Sequence, residues 1–166
     1  MLLKKASAMT NDEKTLVKEL AKLLQGGSAH ADLKTALAGL PVKLRGVKPD
    51  KLPYSIWQLV EHIRIAQWDM LNFCMDPNHK SPKWPDEYWP KDPAPKSEEA
   101  WNDSIAQINN DMDEFIGVLE HGDLYAKIPG GSGQTILLEA LQLADHNSYH
   151  IGEIIAIRRL LDAWKS

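Results

Sequence analysis

The chain has 166 residues, 43% hydrophobic and 25% charged, with a formal net charge of -4 and one cysteine, Cys74. That length suits one good core and is too short for two ordinary domains, so residues 1–166 are read as a single domain. The mild acidity argues against nucleic acid as a partner, because phosphate binding needs a basic cluster and only the pairs Lys4-Lys5 and Arg158-Arg159 occur. A lone cysteine excludes an internal disulfide and fits a reducing compartment, and its apolar surroundings make Cys74 a buried small side chain.

Met1-Leu2-Leu3-Lys4-Lys5 has neither the long apolar core nor the small-residue cleavage site of a signal peptide. No apolar run approaches a membrane span. A cytoplasmic protein with no membrane or nucleic-acid partner is therefore expected.

Apolar residues recur at spacings of three and four, which predicts helices with one buried face. The first helix begins near Asn11-Asp12 and is seamed by Leu16, Leu20 and Leu23. Gly26-Gly27-Ser28 breaks or kinks it, and the pattern resumes through His30, Leu33, Leu37 and Leu40 to Pro41. Ser55 caps a second helix carrying Ile56, Leu59, Ile63, Ala66, Met70 and Phe73, ended by Pro77. Ser97 opens a third, with Glu98-Glu99 at the positive helix end and a seam of Trp101, Ile105, Ile108, Met112, Phe115 and Leu119. Gly122 ends it. Pro129-Gly130-Gly131-Ser132-Gly133 is a turn rather than an anion cradle. Thr135 caps the fourth helix, which is expected to run to about Trp164, roughly 43 Å.

The sum is an all-α four-helix bundle. Between the second and third helices, residues 78–96 hold five of the ten prolines together with Trp84, Tyr88 and Trp89. A loop this long in a compact domain is uncommon and often functional. It is read as a proline-aromatic flap whose length permits a crossover, with the second and third helices parallel.

The fourth seam runs Ile136, Ala140, Leu143, Asn147, His150, Ile154, Ile157, Leu161 and Trp164. Two neighbouring positions, Asn147 and His150, are polar, with His146 beside them. Buried polar groups cost a few kcal/mol each unless satisfied, so this stretch needs a partner. His146 and His150 stand four apart, which puts both imidazoles on one helix face, the spacing by which a helix supplies two ligands to one ion. There is no glutamate after His146, so the metalloprotease helix motif and its base are absent. His62 flanks the second seam, about 10 Å into a helix of roughly 33 Å, and completes a candidate set of three.

Neutral imidazoles leave a bound ion its full positive charge, able to act as a Lewis acid or to lower the pKa of bound water. His30 is a candidate pocket residue or fourth ligand, as is Asn147. A satisfied or solvent-facing histidine is the commoner use of such a position as His30. His79 and His121 are expected at the surface, and Arg158 and Arg159 to offset the helix dipole. Glu61, Asp69, Asp145 and Glu153 are the acids near enough to support the histidines.

Ser55-Ile56-Trp57-Gln58-Leu59-Val60-Glu61-His62 and Ala144-Asp145-His146-Asn147-Ser148-Tyr149-His150-Ile151-Gly152 together resemble the DinB-like superfamily, the damage-inducible group related to YfiT-type and thiol-dependent transferase proteins. The likeness covers about Asp12 to Trp164. It implies an up-down-down-up bundle, a divalent ion (zinc or nickel) on His62, His146 and His150, and a homodimer. It also implies a metal-dependent transferase or hydrolase using a low-molecular-weight thiol and a small-molecule substrate. The alternatives are a non-catalytic, stress-related metal or small-ligand binding module and a dimer whose histidines are purely structural.

Overall fold

The computed structural model describes residues 8–27 and 29–164. The expectations placed on Met1–Lys5 and on Ser28 lie outside the described residues. The chain order is α1 (Asn11–Leu24), α2 (Leu33–Leu37), a 3-10 turn (Val42–Leu44), α3 (Ile56–Met75), α4 (Glu98–His121) and α5 (Ile136–Leu160). No strand occurs among the described residues, and none of the helices is long and apolar enough to cross a membrane.

Each long helix starts at a hydroxyl cap. Thr10 and Glu13 form a capping box at α1, as do Ser55 and Gln58 at α3; Ser97 and Thr135 cap α4 and α5. Three of these caps are those the sequence predicts, but α1 is capped by Thr10, one residue before the expected Asn11-Asp12. Its buried seam is Val17, Leu20 and Leu24, with Leu23 44% exposed, so the expected face is rotated toward the C-terminus.

The first helix does not resume after its glycines. Gly26 and Gly27 adopt φ of +109° and +58°, a left-handed stretch that terminates a helix rather than kinking it. The chain then forms only the five residues of α2. At the other end, α5 stops at Leu160 rather than Trp164, giving about 37 Å of helix.

Side-chain pairings establish the directions. Trp57 meets Trp101 at 6.1 Å between ring centroids, Ser104 donates to Glu61 at 2.6 Å, and Gln67 donates to the Ile108 carbonyl at 2.5 Å, so α3 and α4 ascend together and are parallel. His62 contacts His150 while Gln67 contacts Asn147, so α5 is antiparallel to α3. Leu24 and Gln25 at the C-terminal end of α1 line a cavity with Ile108 and Asn109 in the first half of α4, while Val17 and Leu20 join the core cluster of Val118 and Leu119 near its end, so α1 runs antiparallel to α4. The topology is up-down-down-up, and the long 78–96 segment is the crossover.

The core has two apolar halves. One gathers Val17, Leu20, Leu24, Leu71, Phe115, Leu119 and Leu143; the other gathers Ile56, Leu59, Ile63, Trp101, Ile108, Ile151 and Ile154. Between them lies a polar layer of Gln67, Asp111 and Asn147, all three buried. His146 and His150 flank this layer on α5, where the sequence seam is interrupted.

Candidate metal centre

His62 on α3 and His146 and His150 on α5 come together. One ring nitrogen from each lies within 4.8 Å of the others, and the set could hold a metal ion. His62 and His150 are 2% and 7% exposed, and His146 is partly buried. The Nε2 atoms of His62 and His146 are 3.0 Å apart.

What faces the other nitrogen decides the tautomers. His62 Nδ1 lies 2.9 Å from the Tyr88 carbonyl oxygen, which can only accept, so Nδ1 carries the proton. His150 Nδ1 donates to the Glu153 carboxylate at 2.7 Å. His146 Nδ1 donates to the Asn147 amide oxygen at 3.3 Å; Asn147 in turn donates to Gln67 at 3.1 Å, and Gln67 to the Ile108 carbonyl. Each imidazole is thus oriented by a different part of the molecule: the flap, the neighbouring turn of its own helix, and an amide chain ending on α4. All three Nε2 atoms are left with lone pairs.

Two such lone pairs at 3.0 Å repel unless a proton or a cation sits between them. Burial pushes the imidazoles of His62 and His150 down to about 4, and mutual repulsion among the three adds to it. Burial lowers His146 as well. The cluster is therefore neutral near pH 7, the form that binds metal. Ligands about 2.1 Å from a tetrahedral ion stand about 3.4 Å apart, between the 3.0 Å of the His62–His146 pair and the 4.8 Å that bounds the set. Among the described residues, no carboxylate or thiol joins the three as a fourth donor.

The flap is tied along one face of α3. Ser55 Oγ donates to the Pro93 carbonyl at 2.5 Å, Gln58 Nε2 to the Pro90 carbonyl at 2.8 Å, and His62 to the Tyr88 carbonyl. Further along α3, Asp69 accepts from the Tyr88 hydroxyl at 2.5 Å and from His79 at 2.7 Å. Positions 55, 58, 62 and 69 share a helical face, so the flap runs antiparallel to α3 in fixed register. Trp89 stacks on His62 at 3.8 Å, and Tyr54 covers the other face of Trp89 at 3.7 Å.

The other expected candidates fall outside the cluster. His30 is exposed, its ring engaged by the Ala31 carbonyl and Ser148 Oγ. Asn147 lines a cavity of about 340 Å³ beneath the end of α1, and its hydrogen bond to the cluster is the one it accepts from His146. Among the acids, Glu153 supports His150, Glu61 pairs with Arg64 and Ser104, Asp69 clasps the flap, and Asp145 is exposed. His79 is not the expected surface residue: its side chain is 7% exposed because Asp69 and Trp68 enclose it. Arg158 is buried too, donating to the carbonyls of Ala36 and Ala163 rather than serving only the dipole. His121 is exposed and Cys74 buried, as expected.

A four-helix bundle with one histidine on the second long helix and two, four apart, on the last defines a class of three-histidine bundle proteins. The chain belongs to the DinB superfamily, whose family model matches residues 27–154, from the Gly26-Gly27 break nearly to the end of α5. Neither a curated protein nor a solved structure matches the chain.

Proposed function

We propose that this protein binds a divalent metal ion, zinc or nickel, through Nε2 of His62, His146 and His150, and uses it on a small molecule in the cytoplasm. The observation that carries the proposal is the convergence of three neutral imidazoles whose Nδ1 protons are already committed to acceptors. Such an ion lowers the pKa of a water or thiol beside it. The chain's own residues orient the three rings, exclude water from His62 with Trp89, and keep each Nδ1 proton on its acceptor.

A metal-dependent transferase or hydrolase acting with a low-molecular-weight thiol is the reading this site supports best. Three donors leave a coordination position for such a group. A non-catalytic metal or small-ligand module is favoured by one feature: the nearest carboxylate, Glu153, is occupied with His150 and stands as no free base. Exposed Leu138, Leu141, Tyr149 and Leu160 on α5 support a homodimer, with residues 1–166 taken as one domain.

Elemental analysis tests the metal. About one ion per chain is expected in the wild type and none in the double variant His146→Ala, His150→Ala. Absence of metal from the wild type after incubation with zinc, nickel, cobalt and copper would remove the enzyme reading first. Turnover of thiol conjugates against simple binding then separates the two uses.

A further inference from the structure

The 78–96 flap holds one of the three candidate ligands in place, and that has a consequence for the ion. His62 is the most buried of the three; its ring meets His146 and His150 of α5, while its Nδ1 proton and one ring face are held by the flap. Tyr88 supplies the carbonyl that fixes the Nδ1 proton, and Trp89 supplies the face on which the ring stacks. With the flap lifted, His62 loses both, which leaves its contacts with the α5 histidines to direct its Nε2. The flap is closed by few bonds. Its prolines have no N–H to give, and its hydrogen bonds to α3 run through carbonyls and through Asp69, beside the stacking of Trp89 on His62. Asp69 takes the Tyr88 hydroxyl and His79 at once, two turns along α3 from His62. The same residue, Tyr88, therefore joins the latch by its hydroxyl and the ligand by its carbonyl.

We propose that the flap is a metal-linked latch: Asp69 is a positioning residue that, through Tyr88, keeps His62 in the ligand set, so that flap closure and ion retention stabilise one another. This rests on the metal reading above. Linkage is reciprocal, so a bound ion must shift the flap's open–closed equilibrium toward closed by the factor by which a closed flap tightens the ion. A flap that merely covered the bundle would show neither effect.

The test uses the full chain with zinc alone and two variants. Tyr88→Phe removes the hydroxyl and keeps the ring; Lys91→Ala alters an exposed flap side chain outside the latch. Zinc release to a chromophoric chelator and hydrogen exchange at the amides of Glu87, Tyr88 and Trp89 are measured, with and without zinc. Loss of a hydrogen bond to a charged carboxylate predicts about tenfold faster zinc release from Tyr88→Phe. Wild-type release from Lys91→Ala and slower exchange of those amides when zinc binds the wild type are also expected. Zinc bound by both Tyr88→Phe and the wild type, with equal release rates and flap exchange indifferent to zinc, overturns the latch and leaves the metal site standing. Failure of the wild type to bind zinc overturns both. Equal acceleration by both variants shows a general loosening of the flap and also overturns the assignment to Asp69.

Discussion

Glu139 lies on α5 two turns before His146, 6% exposed, and its pH behaviour opposes that of the histidines. Burial, with the Asp69 charge adding to it, pushes its carboxyl up to about 7 from an ordinary 4.5. The folded chain keeps this proton where the unfolded chain has lost it, so stability is lost as pH rises from 4.5 through about 7. His62 and His150 fall from 6.5 to about 4, so the unfolded chain takes up protons that the folded one refuses. Metal-free protein should therefore lose stability as pH falls through that window. Glu139→Gln is expected to raise the thermal midpoint near pH 8 and leave it unchanged near pH 4; an equal gain at both would show that ionisation is not the cause. The three histidines were legible in the sequence because they interrupt or flank apolar seams at helical spacing. Their acceptors were less so: the Tyr88 carbonyl lies 26 residues from His62 and Gln67 lies 80 from Asn147, and no local pattern links them.

Caps and seams made α3 and α4 readable, since Ser55, Ser97 and the three-four spacing all speak locally. The first helix misled because Leu33, Leu37 and Leu40 continue its phase across the glycines; left-handed backbone at Gly26 and Gly27 overrides that pattern. The flap, too, depends on contacts that its own sequence does not announce. A Cβ at Gly46 would stand 2.4 Å from Ala94 Cβ and 3.2 Å from the Pro93 carbonyl, so the flap's end closes against bare backbone. Gly46→Ala should cost on the order of 1–3 kcal/mol in urea unfolding, because neither neighbour is a flexible side-chain end that can swing away. A neutral result would mean that this end of the flap is not seated.

At the scale of the molecule, the family match begins at residue 27, yet α1 packs Val17, Leu20 and Leu24 into the same core as Phe115 and Leu143. Leu20→Ala should cost about 2–5 kcal/mol in chemical denaturation, with affinity for the proposed ion unchanged in a zinc titration, because Leu20 belongs to the apolar half on the far side of the polar layer. A matching loss of zinc affinity would show that the two halves are not independent. The sequence by itself determined the helical class and the candidate histidines, because periodicity, caps and i, i+4 spacing act over one or two turns; the length of the 78–96 loop permitted a parallel middle pair without requiring it. Only the tertiary structure decided where α1 ends, which nitrogen of each imidazole faces inward, and that the flap holds His62. Those outcomes depend on partners distant in the chain, which packing alone brings within reach of a hydrogen bond.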